Sequence, residues 1–192
     1  MEIRYLHQAP RIAGGSRSKG KKLIGELESI DKEAAYLARL EVGPFEPDGE
    51  AMIALLNERP IGSVDELDGR SGIVRSLILT VENYRAADAE MATWDAVEMS
   101  PEIEVERLLL QGVLRVRGSF EYAKAEAYLT EFVARRTALP DDVMEPVSTG
   151  YAYLGDARRM QSNPAGARDA YQAALALNAD DRRAKQGLAE LE

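Results

Sequence analysis

The chain has 192 residues, enough for one large domain or one domain with an appendage, and its 45% hydrophobic and 30% charged content suits a soluble chain with a real core. It has no cysteine, which removes disulfides, thiolate metal sites and a cysteine nucleophile; the single histidine, His7, leaves no Ser-His-Asp arrangement and no histidine zinc cluster in the body of the chain. The net charge of −9 is uneven, because the first 24 residues carry Arg4, Arg11, Arg17, Lys19, Lys21 and Lys22 against Glu2 alone, so the rest is strongly acidic and poorly suited to broad phosphate-backbone binding.

The opening stretch MEIRYLHQAPRIAGG has no basic-then-apolar leader, and no run approaches about 18 apolar residues, so a cytoplasmic chain without membrane contact is expected. Residues 1–20 hold Pro10, Gly14-Gly15 and GSRSKG, punctuation that keeps regular structure short. They read as a basic flexible arm, with Arg11, Arg17, Lys19, Lys21 and Lys22 the candidates for contact with nucleic acid or an acidic partner. Residues 21–69 read as a helical extension. Leu23, Leu27, Ile30, Ala34 and Leu37 fall at steps of three and four, which predicts one amphipathic helix over 21–42. GPFEPDG ends it. A short helix follows over 50–58, with Met52, Ile53, Leu55 and Leu56 inward and Pro60 as its stop. Ser63-Val-Asp-Glu66 has the pattern of a capping box opening a single turn that Gly69 closes.

From residue 70 the chain reads as helix pairs: 73–82 with 84–99, 101–117 with 120–138, and 146–161 with 165–177. Residues 180–191, with Ala184, Leu188 and Leu191 on one face, predict a closing helix. MSPE around Pro101, LPDD around Pro140 and LNADD around Ala179 are alike and 39 residues apart. The acidic pairs Asp141-Asp142 and Asp180-Asp181 stand at these joints, where carboxylates favour a helix start.

The last pair carries a family resemblance. Tyr151, Leu154 and Gly155 reproduce the W-x2-L-G spacing of a tetratricopeptide (TPR) helix A, and Ala167, Tyr171 and Ala174 fall where helix B carries small, aromatic and small residues. Asn163-Pro164 suits the start of helix B, Asn as N-cap and Pro as first helical residue. Arg158 departs from the family's Tyr, and Ala179 from its closing Pro. The resemblance spans 70–192 and is strongest over 148–181. It is looser earlier: Ala87 and Met91 match helix B but Trp94 stands at a small position, and Gly112 matches the helix A glycine with one residue of slack.

The resemblance implies an all-α, TPR-like right-handed array of about three antiparallel helix pairs, with a C-terminal capping helix and the N-terminal helical extension. It also implies a non-catalytic adaptor that takes a peptide or partner helix in a concave groove of helix A faces, with no cofactor and no metal. Thr149, Ala152, Asp156 and Arg159 would face that groove, with Tyr153 beside them. Arg115 and Arg117 join them as partner-binding candidates, although positive charge there also complements a helix C-terminus. The family's carboxylate clamp would need other residues at Ala152 and Asp156. The helix over 21–42 would cap the first repeat, dock along the groove, or join two copies as a homodimer.

A second reading stands beside it. Residues 50–85 run helix, turn, short helix, turn, longer helix, and resemble, in degenerate form, the winged helix-turn-helix of bacterial transcriptional activators that precedes a TPR-like activator domain. Residues 73–84 would then be the recognition helix, although Leu77, Ile78 and Leu79 are apolar where base reading wants Arg, Asn or Gln.

Overall fold

The computed structural model describes residues 17–45, 48–139 and 145–192, and among these every regular element is helical. The chain divides into two compact units. One runs up to Ala86 and regains Ala92–Val97; the other takes Ala87–Met91 and Glu98–Glu192.

The first unit holds α1 (Arg17–Glu28), α2 (Lys32–Val42), α3 (Gly49–Asn57) and α4 (Leu67–Ser76). The helix expected over 21–42 is therefore two helices. The break comes at Asp31, whose Oδ1 accepts the N–H groups of Glu33 (3.0 Å) and Ala34 (3.1 Å) and so caps a fresh start. The apolar spacing runs on unbroken across that cap. Tyr36 and Leu40 of α2 are buried, and α2 packs on both α1 and α4. Asp48 caps α3 in the same way (3.0 Å to Glu50, 3.1 Å to Ala51), but only Met52 and Leu56 of its four apolar candidates are buried.

The capping box at Ser63 does not form. Ser63 makes no side-chain cap, and Glu66 is drawn into an ion pair with Arg70 (3.2 Å) that is almost wholly buried. Gly69 lies inside α4 rather than ending a turn, pressed against Leu40 so closely that a Cβ would collide with it. Ile73, Val74, Leu77 and Ile78 are fully buried, and after Ser76 the helix loosens into a π-turn, Leu77–Val81. Glu82, at φ 58°, closes it in the left-handed region.

Helix α5 (Tyr84–Met91) stops eight residues before the expected end at 99. Residues Ala92–Val97 return to the first unit, where Trp94 is fully buried in a 3-10 turn, Trp94–Ala96. Burying that indole is incompatible with running the helix straight on.

The second unit adds α6 (Pro101–Arg117), α7 (Tyr122–Arg136), α8 (Val147–Met160), α9 (Pro164–Leu177) and α10 (Arg182–Ala189). Each start has a local cause where a cap forms. Ser100 precedes Pro101, Asn163 precedes Pro164 and accepts from Gly166 (3.0 Å), and Asp181 accepts from Ala184 (2.9 Å). Asp180 pairs with Lys185 (3.1 Å) instead of capping, and Asp141-Asp142 lie outside the described residues. Helices α6 and α8 end alike. Ser119 (φ 59°) and Ser162 (φ 61°) take the left-handed conformation, and the next N–H reaches back to Arg115 (3.1 Å) and Arg158 (2.9 Å).

Successive helices pack antiparallel. Glu104 meets Arg135 while Gly112 meets Leu129 across α6 and α7; Gly150 meets Phe132 while Gln161 meets Glu126 across α8 and α7. Gly155 meets Tyr171 while Arg158 reaches Gly166 across α8 and α9. In addition α6 touches α8, and α8 touches α10. The last two run parallel, since Asp156 meets Arg183 and Arg159 meets Glu190. The 39-residue period of the joints does not set the helix starts: α6, α8 and α10 begin at 101, 147 and 182, because Val147 follows a longer connection. Equivalent glycines, Gly112 and Gly155, stand 43 residues apart and meet Leu129 and Tyr171 on the facing helix.

Candidate functional site

Helix α8 carries most of the residues the sequence nominates for partner binding. Every residue from Ala152 to Ala157 is buried, so the helix is covered on nearly all sides. Ala152 packs with Ala167, Tyr171, Ala174 and Ala184 in the core formed by α8, α9 and α10. Asp156 is equally committed. Its Oδ1 accepts the Tyr171 hydroxyl (2.7 Å), and its Oδ2 pairs with Arg183 of α10 (2.5 Å). Tyr153 lies under the same arginine, whose guanidinium stands 4.0 Å from the ring centre. These three side chains face the closing helix, not an open groove. Family position points Ala152 and Asp156 toward a groove with Tyr153 beside them; the covering helix is what decides otherwise.

Arg159 is half-buried. It pairs with Glu190 (3.0 Å), and its Nε donates to the Tyr171 hydroxyl (3.4 Å). Burial, and then the bond to Asp156, push the Tyr171 phenol well above the ordinary tyrosine range, while the hydrogen bond with Tyr171 holds the Arg159 guanidinium charged. Together Asp156, Arg159, Tyr171, Arg183 and Glu190 form a polar latch that fastens α10 to α8. Thr149 remains half-buried, one turn from the start of the helix.

Arg115 is also occupied. It is 6% exposed, stacks over Tyr128 with its guanidinium 5.0 Å from the ring centre, and lies close to Asp88 (3.4 Å) and Glu121 (3.3 Å). Its Nη1 also donates to the Gln111 carbonyl (3.1 Å) and to the Gln111 side chain. The helix-terminus reading of this arginine therefore describes its surroundings better than a groove contact. Arg158, its counterpart on α8, is similarly bound to Glu126 (2.8 Å). Arg117 is half-buried. Of the seven partner-binding candidates, Arg117, Thr149 and Arg159 keep solvent-facing surface.

In the first unit, the stretch nominated as a recognition helix places Ile73, Val74, Leu77 and Ile78 in the core. No face built from those positions is open to base edges. Of the basic arm, Lys22 is exposed beside Glu26 (3.6 Å); Arg11 lies outside the described residues, and Arg17, Lys19 and Lys21 belong to α1 or its first turns. A feature that spacing did not reveal is the network around Arg70. Arg70 donates to Tyr36 (2.8 Å) and pairs with Glu66, while Arg59 lies 4.0 Å above the Tyr36 ring and binds Glu33 through both terminal nitrogens (2.5 and 2.6 Å). Contact with Arg59 lowers the Glu33 carboxyl below its usual range. Residues 33, 36, 59, 66 and 70 have no common periodicity, so only the fold unites them.

Among the described residues no three of His, Asp and Glu converge as a metal site needs, and no helix is long and apolar enough to cross a membrane. Comparison with protein families, with curated proteins and with solved structures returns no match for this chain.

Proposed function

We propose that the chain is a non-catalytic protein-binding module of tetratricopeptide type, with α6 and α8 as A helices, α7 and α9 as B helices and α10 as the cap of a right-handed array. The observation that carries this reading is the alternation of contacts in the second unit. Neighbours pack antiparallel, α6 touches α8 and α8 touches α10, and a glycine on each A helix admits a large side chain of the following B helix. The reading is also supported by polar chemistry that is spent on packing: Arg115 and Asp156 are both ion-paired within the chain.

In this reading a peptide or partner helix contacts the half-buried A-helix positions, Arg117 on α6 with Thr149 and Arg159 on α8. Immobilised full chain should retain a short list of proteins from the lysate of its source cells, unchanged by nuclease. Arg117→Glu and Thr149→Arg should each reduce that retention about tenfold, with the helical circular dichroism preserved. Retention indifferent to both substitutions places binding elsewhere. Retention that nuclease abolishes transfers the function to a nucleic-acid regulator working through the basic arm.

A further inference from the structure

Helix α10 closes the second unit with little apolar anchorage. Of its eight residues only Ala184 and Gly187 are buried, while Leu188 and, just beyond it, Leu191 are partly buried against the core. Two ion pairs fasten it, Arg183 to Asp156 and Glu190 to Arg159. The α10 partners in these pairs are 36% and 40% exposed, and pairs so exposed contribute little net stability. The connection from α9, residues 178–180, is exposed and held by its own bonds: the N–H groups of Asp180 and Asp181 donate to the side chain (3.1 Å) and the carbonyl (3.0 Å) of Asn178. An element with few buried apolar groups and an exposed connection opens at lower cost than the helices it covers.

The way α10 sits states what the face beneath it accepts. Ala184 and Gly187 allow close approach, since a Cβ at Gly187 would collide with the Tyr171 ring. Arg183 meets Asp156 and stands 4.0 Å over Tyr153, and Glu190 meets Arg159. We propose that α10 is a displaceable internal occupant, and that this face takes a helix of another protein with the same pattern. That pattern is an arginine followed directly by a small residue, a second small residue three positions on, and a glutamate three beyond that. The partner's arginine pairs with Asp156, so the buried carboxylate keeps a cation throughout the exchange. Its glutamate pairs with Arg159, and its small face admits Tyr171. Helix α10 then acts as a tethered competitor, which lowers the partner's affinity by the fraction of chains in which α10 is closed. This names the partner chemistry of the binding module proposed above and rests on that reading.

The probe is a fluorescent peptide of residues 180–192, titrated by anisotropy into the purified full chain. Gly187→Leu in the chain keeps α10 from seating on Tyr171, so that chain should bind the peptide at least about tenfold more tightly than wild type. Arg183→Glu, at a partly exposed side chain, gives a second opened chain and should do the same. Gly187→Leu in the peptide should abolish binding. Arg159→Glu in the Gly187→Leu chain should weaken it about fivefold, and Glu190→Arg in the peptide should restore it. A peptide that binds neither opened chain, or binds wild type as tightly as the opened chains, overturns the proposal. Binding indifferent to Gly187→Leu in the peptide, or to the exchange of charges, overturns it equally. So does a two-chain species in sedimentation velocity of the wild type that Gly187→Leu removes, because the occupant is then α10 of a second copy. No lysate enters these titrations, so their failure sinks the displaceable α10 alone, whereas retention indifferent to Arg117→Glu and Thr149→Arg counts against the binding module itself.

Discussion

Tyr171 sits where three helices converge, and its surroundings explain two glycines that helix propensity alone disfavours. Its ring lies against Gly155 of α8 and Gly187 of α10, and a Cβ at either position would overlap the aromatic carbons. The residue is fully buried, so the ring has nowhere to retreat. Gly155→Ala gains up to about 1 kcal/mol of helix propensity but forces overpacking that costs about 1–3 kcal/mol. The net outcome expected is destabilisation, read as a lower urea midpoint at unchanged slope.

The hydroxyl adds a pH dependence. Tyr171 has its phenol raised by burial and by Asp156, so its contribution is complete below about pH 10, the unfolded value, where both states are protonated. Above that, the unfolded chain ionises and the folded one resists, so stability falls as pH rises toward the folded value. Tyr171→Phe should cost about 1.5–3 kcal/mol at neutral pH, the loss of a bond to a charged acceptor. The gap between wild type and variant should then hold constant up to about pH 10 and narrow steadily above it in parallel urea titrations. Tyr36, whose phenol is also raised by burial, is present in both chains and cancels in the difference.

Among elements, α10 does more than end the chain. It covers Ala152, Tyr171 and Ala174 and supplies Arg183 to Asp156. Truncation before Asp181 uncovers apolar surface and leaves Asp156 without its cation, a loss of about 3 kcal/mol or more. Hydrogen exchange should show protection falling first in α8 and α9, with α6 and α7 less affected. Equal loss across all four helices would instead mean that α10 supports the unit as a whole. Element types were legible where cap and period agree: α8 and α9 lie within a residue or two of their expected bounds because Asn163-Pro164 separates two clean apolar stripes. They were misread where the two signals conflict. The stripe from Leu23 to Leu37 runs through Asp31, and spacing outweighed a cap that the backbone obeys. In the capping-box stretch the reverse holds, since Glu66 looks like a local partner for Ser63 but is taken by Arg70 four residues on.

For the whole molecule, composition and charge are properties of the chain before it folds. The absence of cysteine, the lone His7, the basic arm and the acidic remainder follow from the sequence by itself, as do the helical periods and the capping residues, because each depends on neighbours three or four positions away. The partition is a tertiary outcome. Sequence divides naturally at residue 69, where repeats begin, whereas the compact units part around Ala86 and then exchange Ala92–Val97, since Trp94 finds its burial in the first. The candidate site behaves likewise. The sequence determined which helices Arg115, Tyr153 and Asp156 occupy and roughly where along them they stand. Only packing decided that Arg115 stacks on Tyr128 and that Tyr153 and Asp156 lie beneath Arg183, because a side chain's exposure depends on which distant helix covers it.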